Sequence, residues 1–255
     1  MRCTRSPACV RLFLLARLSS GLGDRGRYPA QQMPDTTSMH ERLSDLICEA
    51  QGEADHDVAN RLFVDAECLA KQILDLEPND APATYAVALT WYHRWPPADR
   101  QNCIEWLRKT ELIDPDFAWV PLYLGYQSFD TENYIEAYQQ FNRVNREFFA
   151  SIEHHWRNLK TDELMLVCQM RGNFATPDIA SLTELASNYI NAEQEDRPVP
   201  TEIVKASITP GLRERFNADP ALVAAEVVRL IVGIGDQNVF LDQLLTLKSA
   251  AEHAG

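Results

Sequence analysis

Apolar residues recur at helical spacing along most of this chain. Leu43, Leu46, Ile47 and Ala50, behind the possible N-caps Ser38 and Ser44, predict a first helix that Gly52 and Asp55 end. A second helix is predicted from about Asp57 to Leu76, with Leu62, Ala66, Leu69, Ile73 and Leu76 on one face. Glu77-Pro78-Asn79-Asp80 reads as a turn, because Pro cannot continue a helix and Asn and Asp suit turns. The pattern predicts the next pair from Ala83 to about Tyr92 and from Ala98 to Leu112, joined at Trp95-Pro96-Pro97 and closed by Asp114-Pro115-Asp116. A third pair is predicted from Val120 to Phe129 and from Tyr134 to Val144, around Asp130-Thr131-Glu132-Asn133.

After Ser151 the pattern weakens. Ile152 to Met170 reads as a helix and Gly172-Asn173 as a break. Pro177 to Ile190 reads as another helix, with Ile179, Leu182, Leu185 and Tyr189 inward. The polar, Pro-bearing stretch 191–200 reads as a linker. A short helix near Pro210 to Phe216 and two stronger ones, Pro220 to Ile234 and Asp236 to Glu252, complete an all-α expectation. Gly233 and Gly235 fit a helix C-cap better than a phosphate loop, since a third Gly and a following Lys are missing.

The helices repeat. Lys71 to Ala81 parallels Arg108 to Ala118, with Pro78 and Pro115 at matching places 37 residues apart. Upstream of each Pro stand Ala66, Ala70 and Ile73, then Cys103, Leu107 and Thr110, and 34 residues later Ala137, Phe141 and Val144. A triplet recurring at this period marks a helical-hairpin repeat.

These residues resemble the tetratricopeptide repeat family. The family's Leu-Gly pair on the first helix is matched by Leu124-Gly125 and more weakly by Val87-Ala88. Ala137, Phe141 and Val144, like Cys103, Leu107 and Thr110, match its second helix, and Pro78 and Pro115 its closing Pro. The second copy is three residues longer, the excess falling between Trp91 and Pro97, and the third has Phe149-Ala150 where the Pro would stand. The resemblance implies an α-solenoid with a C-terminal helical region: a repeat array over 39–150, a worn fourth hairpin over 151–195 and a capping region over 196–255. It also implies a concave face lined by the first helices, which places Tyr85, Leu89, Tyr92 and His93 beside Trp119, Leu122, Tyr126 and Phe129. Aromatic side chains there bury large area with few rotors and suit a bound peptide or helix. The chaperone-tail clamp of this family uses Lys and Asn where Tyr85, Leu89, Leu122 and Tyr126 stand here, so that subtype is not implied. Arg94 and Trp95, in the aromatic loop Tyr92-His93-Arg94-Trp95-Pro96-Pro97, are candidate contacts or an apolar plug.

Charge narrows the partners. The net charge is −13. The first 33 residues hold six Arg against one Asp, +5, which leaves −18 for the rest. Such a body argues against nucleic acid. Residues 1–38 read as a disordered leader or an extension before a true start at Met33 or Met39, with a mitochondrial transit peptide, which they resemble in being Arg-rich and acid-poor, as the alternative. No apolar stretch is long enough for a membrane span. The six Cys form no C-x-x-C pair, and Cys68 and Cys103 fall on predicted apolar faces, which suits reduced thiols in the cytoplasm.

No metal, nucleophile-elbow or paired-carboxylate motif appears, and adjacent His154 and His155 point apart on a helix. No cofactor is implied. The expectation is a non-enzymatic adaptor or scaffold for a protein or peptide. Two alternatives stand beside it: an accessory subunit or small enzyme acting through the C-terminal region, and a homodimer formed by the C-terminal helices.

Overall fold

The computed structural model describes residues 36–95 and 100–172, together with Phe174, Glu184, Leu185, Asn188, Ala192 and Glu202. Of the leader expected over 1–38, residues 1–35 lie outside these residues, and Thr36, Thr37 and Ser38 instead open the first helix. Outside them too lie the Pro96-Pro97 turn, all of the Pro177–Ile190 helix except Glu184, Leu185 and Asn188, and the C-terminal helices after 202. Among the described residues every regular element is an α-helix. They are α1 (Thr36–Gly52), α2 (His56–Leu76), α3 (Ala81–His93), α4 (Arg100–Ile113), α5 (Trp119–Asp130), α6 (Tyr134–Asn142), α7 (Arg146–Ser151) and α8 (His155–Gly172). No helix among them is long and apolar enough to cross a membrane. The chain divides into two compact units, residues 1–120 and 121–255.

In the first unit α1 packs on α2 and α3, α2 packs on α3, and α3 packs on α4. Capping explains where these helices begin. Asp55 accepts from the backbone N–H groups of Asp57 and Val58 ahead of α2. Asp80 accepts from Ala83 N–H at 2.7 Å ahead of α3, with Pro82 in that helix's first turn. Asp80 also holds His40 Nε2 at 3.0 Å from its other oxygen, in a pair that is buried.

The two turns that share a closing Pro share their backbone bonds. Glu77 N–H donates to Ile73 O at 2.7 Å, and Asp114 N–H, 37 positions on, donates to Thr110 O at 2.8 Å. Asp80 N–H donates to Glu77 O at 3.0 Å, and Phe117 N–H donates to Asp114 O at 3.2 Å. The repeat read from the sequence is thus a repeat of backbone geometry at this turn.

The triplets form the core. Ala66, Ala70, Ile73, Cys103, Leu107, Thr110, Ala137, Phe141 and Val144 are all buried. Thr110 tolerates burial because its hydroxyl donates to Trp106 O at 2.9 Å. The predicted stripe of α1, Leu43, Leu46, Ile47 and Ala50, is buried as well.

The stripe of α2 is rotated from its expected position. Ala59, Phe63, Ala66, Glu67, Ala70 and Ile73 are buried, whereas Leu62, Leu69 and Leu76 are only partly so. Cys68, expected on the apolar face, is exposed for the same reason, while Cys103 is buried.

In the second unit α6 and α7 pack on α8. A Cβ placed on Gly125 of α5 would lie 2.5 Å from Phe141 Cδ1 and Cε1. Gly125 is therefore a close approach between α5 and the large residue of α6. α5 and α7 end alike. Asn133 N–H donates to Ser128 O and Glu132 N–H to Phe129 O, just as His154 N–H donates to Phe149 O and Glu153 N–H to Ala150 O. Glu132 and Glu153 both stand at φ 60°, the left-handed cap position that usually takes Gly.

The expected last helix of the third pair stops at Asn142 rather than Val144. The separate six-residue helix α7 follows, capped by Asn145, which accepts from Phe148 N–H at 2.9 Å. The helix predicted from Ile152 starts later, at His155.

Candidate functional site

The eight groove candidates divide by exposure. Tyr85, Leu89, Trp119 and Leu122 are buried. Tyr85 rests against Phe117 at 5.1 Å between ring centroids and against Trp119 at 6.2 Å, so its ring is core packing in the first unit. Tyr92, His93, Tyr126 and Phe129 keep accessible surface.

In the first unit Tyr92 and His93 meet edge to face at 4.9 Å. His93 also stacks on Phe63 at 5.8 Å, and its Nε2 lies 3.0 Å from Gln51 Nε2. The Gln51 amide and the His93 ring thus share a hydrogen bond whose direction follows the ring's tautomer.

Arg94 is tied down rather than presented. Its guanidinium pairs with Glu67 and lies over the Trp91 ring at 4.5 Å, and its Nη2 donates to Phe63 O at 3.4 Å. Lys71 Nζ holds the other oxygen of Glu67 at 2.6 Å. Burial alone raises the Glu67 pKa, but the hydrogen bonds from Lys71 and Arg94 outweigh it and hold the carboxyl below its ordinary 4.5.

Trp95 is presented. Asn60 grips its backbone twice, accepting from Trp95 N–H at 2.9 Å and donating to Trp95 O. The indole stacks on His56 at 5.8 Å and remains 58% exposed. Ordering the backbone beneath an exposed indole removes the entropy cost that a partner would otherwise meet.

In the second unit Tyr126 meets Tyr123 and Phe141 edge to face at 5.8 and 5.7 Å, and Phe129 meets Tyr134 at 5.7 Å. Burial pushes the Tyr126 hydroxyl up to about 12, although Arg157, which hydrogen-bonds it, pulls the other way. Tyr126 as a residue is half-buried.

Two titratable groups of this unit are shifted by their surroundings. Burial, aided by the Arg157 charge, lowers His154 to about 4, so its ring stays neutral, and Arg157 Nε donates to its Nδ1 at 3.4 Å. Burial pushes the Cys168 thiol up to about 12, which keeps it un-ionised. Among the described residues no group of three or more His, Cys, Asp or Glu side chains is placed to hold a metal.

Sequence reading named Arg94 and Trp95 but missed Glu67 and Asn60, which position them. Both lie 27 or more positions away, and no local pattern signals the contact. Comparison with protein-family models, curated proteins and solved structures finds no match.

Proposed function

We propose that this chain is a tetratricopeptide-like adaptor that holds a peptide or helix from another protein on accessible aromatic side chains. The observation that carries the reading is the recurrence, 37 positions apart, of the same turn bonds and of a buried triplet that returns a third time 34 positions on. Units of this kind stack to make extended binding surfaces. Tyr92, His93 and Trp95 in the first unit and Tyr126 and Phe129 in the second supply rigid contact area suited to hot spots. The neutral His154 and inert Cys168 favour binding over catalysis. The reading takes the partner to be protein rather than nucleic acid or membrane, and the setting to be cytoplasmic.

Affinity capture from host lysate tests it. Wild type is compared with Tyr92→Ala/Tyr126→Ala, after circular dichroism shows equal helicity. The adaptor reading expects a partner that the wild type retains and the variant loses. A set of partners unchanged by the substitutions contradicts it.

A further inference from the structure

Trp95 differs from the other tryptophans that reach the surface. Arg94 lies over the Trp91 ring at 4.5 Å, Lys109 over Trp106 at 4.0 Å and Arg157 over Trp156 at 4.3 Å. Each of those half-buried rings keeps a cation from its own chain. Trp95 is the most exposed of the five Trp, and among the described residues no Lys or Arg lies over it. Its neighbour is the His56 imidazole, stacked at 5.8 Å with 28° between the planes. One face of the indole is covered and the opposite face is open. Asn60 fixes the backbone beneath, and the adjacent Arg94 is engaged by Glu67 and Trp91.

The charge around this ring has one sign. Residues 36–95 hold eleven Asp and Glu against four Lys and Arg, a net of −7. Two of the four, Lys71 and Arg94, already pair with Glu67. Glu53, Asp55 and Asp57 flank His56 in sequence and are exposed. An open π-face in such a setting attracts a cation through its quadrupole and through the wider field. A guanidinium fits best, being planar and weakly hydrated, and Arg94 and Arg157 already lie over indoles in this chain.

We propose that the open face of Trp95 seats an arginine side chain of the partner, so that the bound segment is basic. This names the partner's chemistry and rests on the adaptor reading.

The test is an NMR titration of the full chain with isotope-labelled indoles, the Trp95 signal being assigned by its proximity to His56. The probes are three short synthetic peptides in which glycine alternates with arginine, with lysine or with citrulline, which keeps arginine's shape without its charge. The arginine peptide should shift the Trp95 signal saturably. The citrulline peptide should bind about 3-fold or more weakly, as loss of a cation–π contact requires. The lysine peptide should also bind more weakly than the arginine one. Trp95→Ala, with helicity equal to wild type by circular dichroism, should lose about 3-fold or more of the arginine peptide's affinity. An unmoved Trp95 signal, or equal binding of the citrulline and arginine peptides, overturns the proposal on wild type alone, whether or not the variant folds. Undiminished affinity in Trp95→Ala overturns it too, by placing the arginine elsewhere on the acidic surface. A lysine peptide that matches the arginine one overturns the choice of guanidinium. A partner captured from lysate beside an unmoved Trp95 signal sinks this seat and spares the adaptor reading; a shifted signal with no captured partner does the reverse.

Discussion

Gly125 and Phe141 set the closest approach in the second unit. Gly125→Ala should destabilise by about 1–3 kcal/mol in urea unfolding, since a Cβ there meets the ring at sub-contact distance. The second copy shows the tolerated alternative, Ala88 with Leu107, both buried. Gly125→Ala/Phe141→Leu should therefore lose less than its two single changes together, and strict additivity would count against this pairing.

Glu67 gives a pH test. Its carboxyl is held below 4.5, so its contribution is fully present above 4.5 and fades as pH falls through the lower native value. Glu67→Gln should cost about 1–2 kcal/mol at pH 7, with the gap to wild type shrinking in acid; a gap that widens below pH 4 contradicts the assignment. Thiol labelling of the native chain, mapped by mass spectrometry, should modify Cys68 and spare Cys103 and Cys168. At this scale the buried triplets were legible, because recurrence at the two similar offsets of 37 and 34 discounts chance. The phase of α2 was not, because Leu62, Leu69 and Leu76 offered an equally regular stripe one position away from the buried one.

The helices themselves were legible where turn chemistry and periodicity agreed. Pro78 and Pro115 announced two turns, and those turns carry the same backbone bonds. The short helix α7 was not foreseen, because six residues give too little periodicity, and its Asn145 cap directly follows the Val144 at which Tyr134's helix was expected to end. The caps at Glu132 and Glu153 were hidden for another reason: Glu is an unusual choice for a left-handed residue. Glu132→Gly should accordingly stabilise the chain by about 1 kcal/mol in urea unfolding, by relieving the Cβ strain at φ 60°. A destabilised variant would mean that the Glu132 side chain makes a contact worth more than the strain.

At the scale of the molecule, the all-helical class of the described residues and the order of their helices followed from the sequence, because each pair is local. The site was only partly legible. Pattern placed eight residues on one notional face, but burial separates Tyr85, Leu89, Trp119 and Leu122 from the accessible Tyr92, His93, Tyr126 and Phe129. Which aromatic of a helix stripe faces the next helix depends on packing that no single stripe encodes. The adaptor proposal thus stands on fewer residues than the pattern offered. Its most direct test is photo-crosslinking in the host, with a benzophenone amino acid replacing Tyr126 in one chain and Leu112 in another. Leu112 is 84% exposed and lies outside the aromatic clusters, so it reports chance encounters. The account predicts an adduct at position 126 that maps to one segment of one protein and is absent from position 112. Identical adduct patterns at both positions, or none at 126, would contradict it.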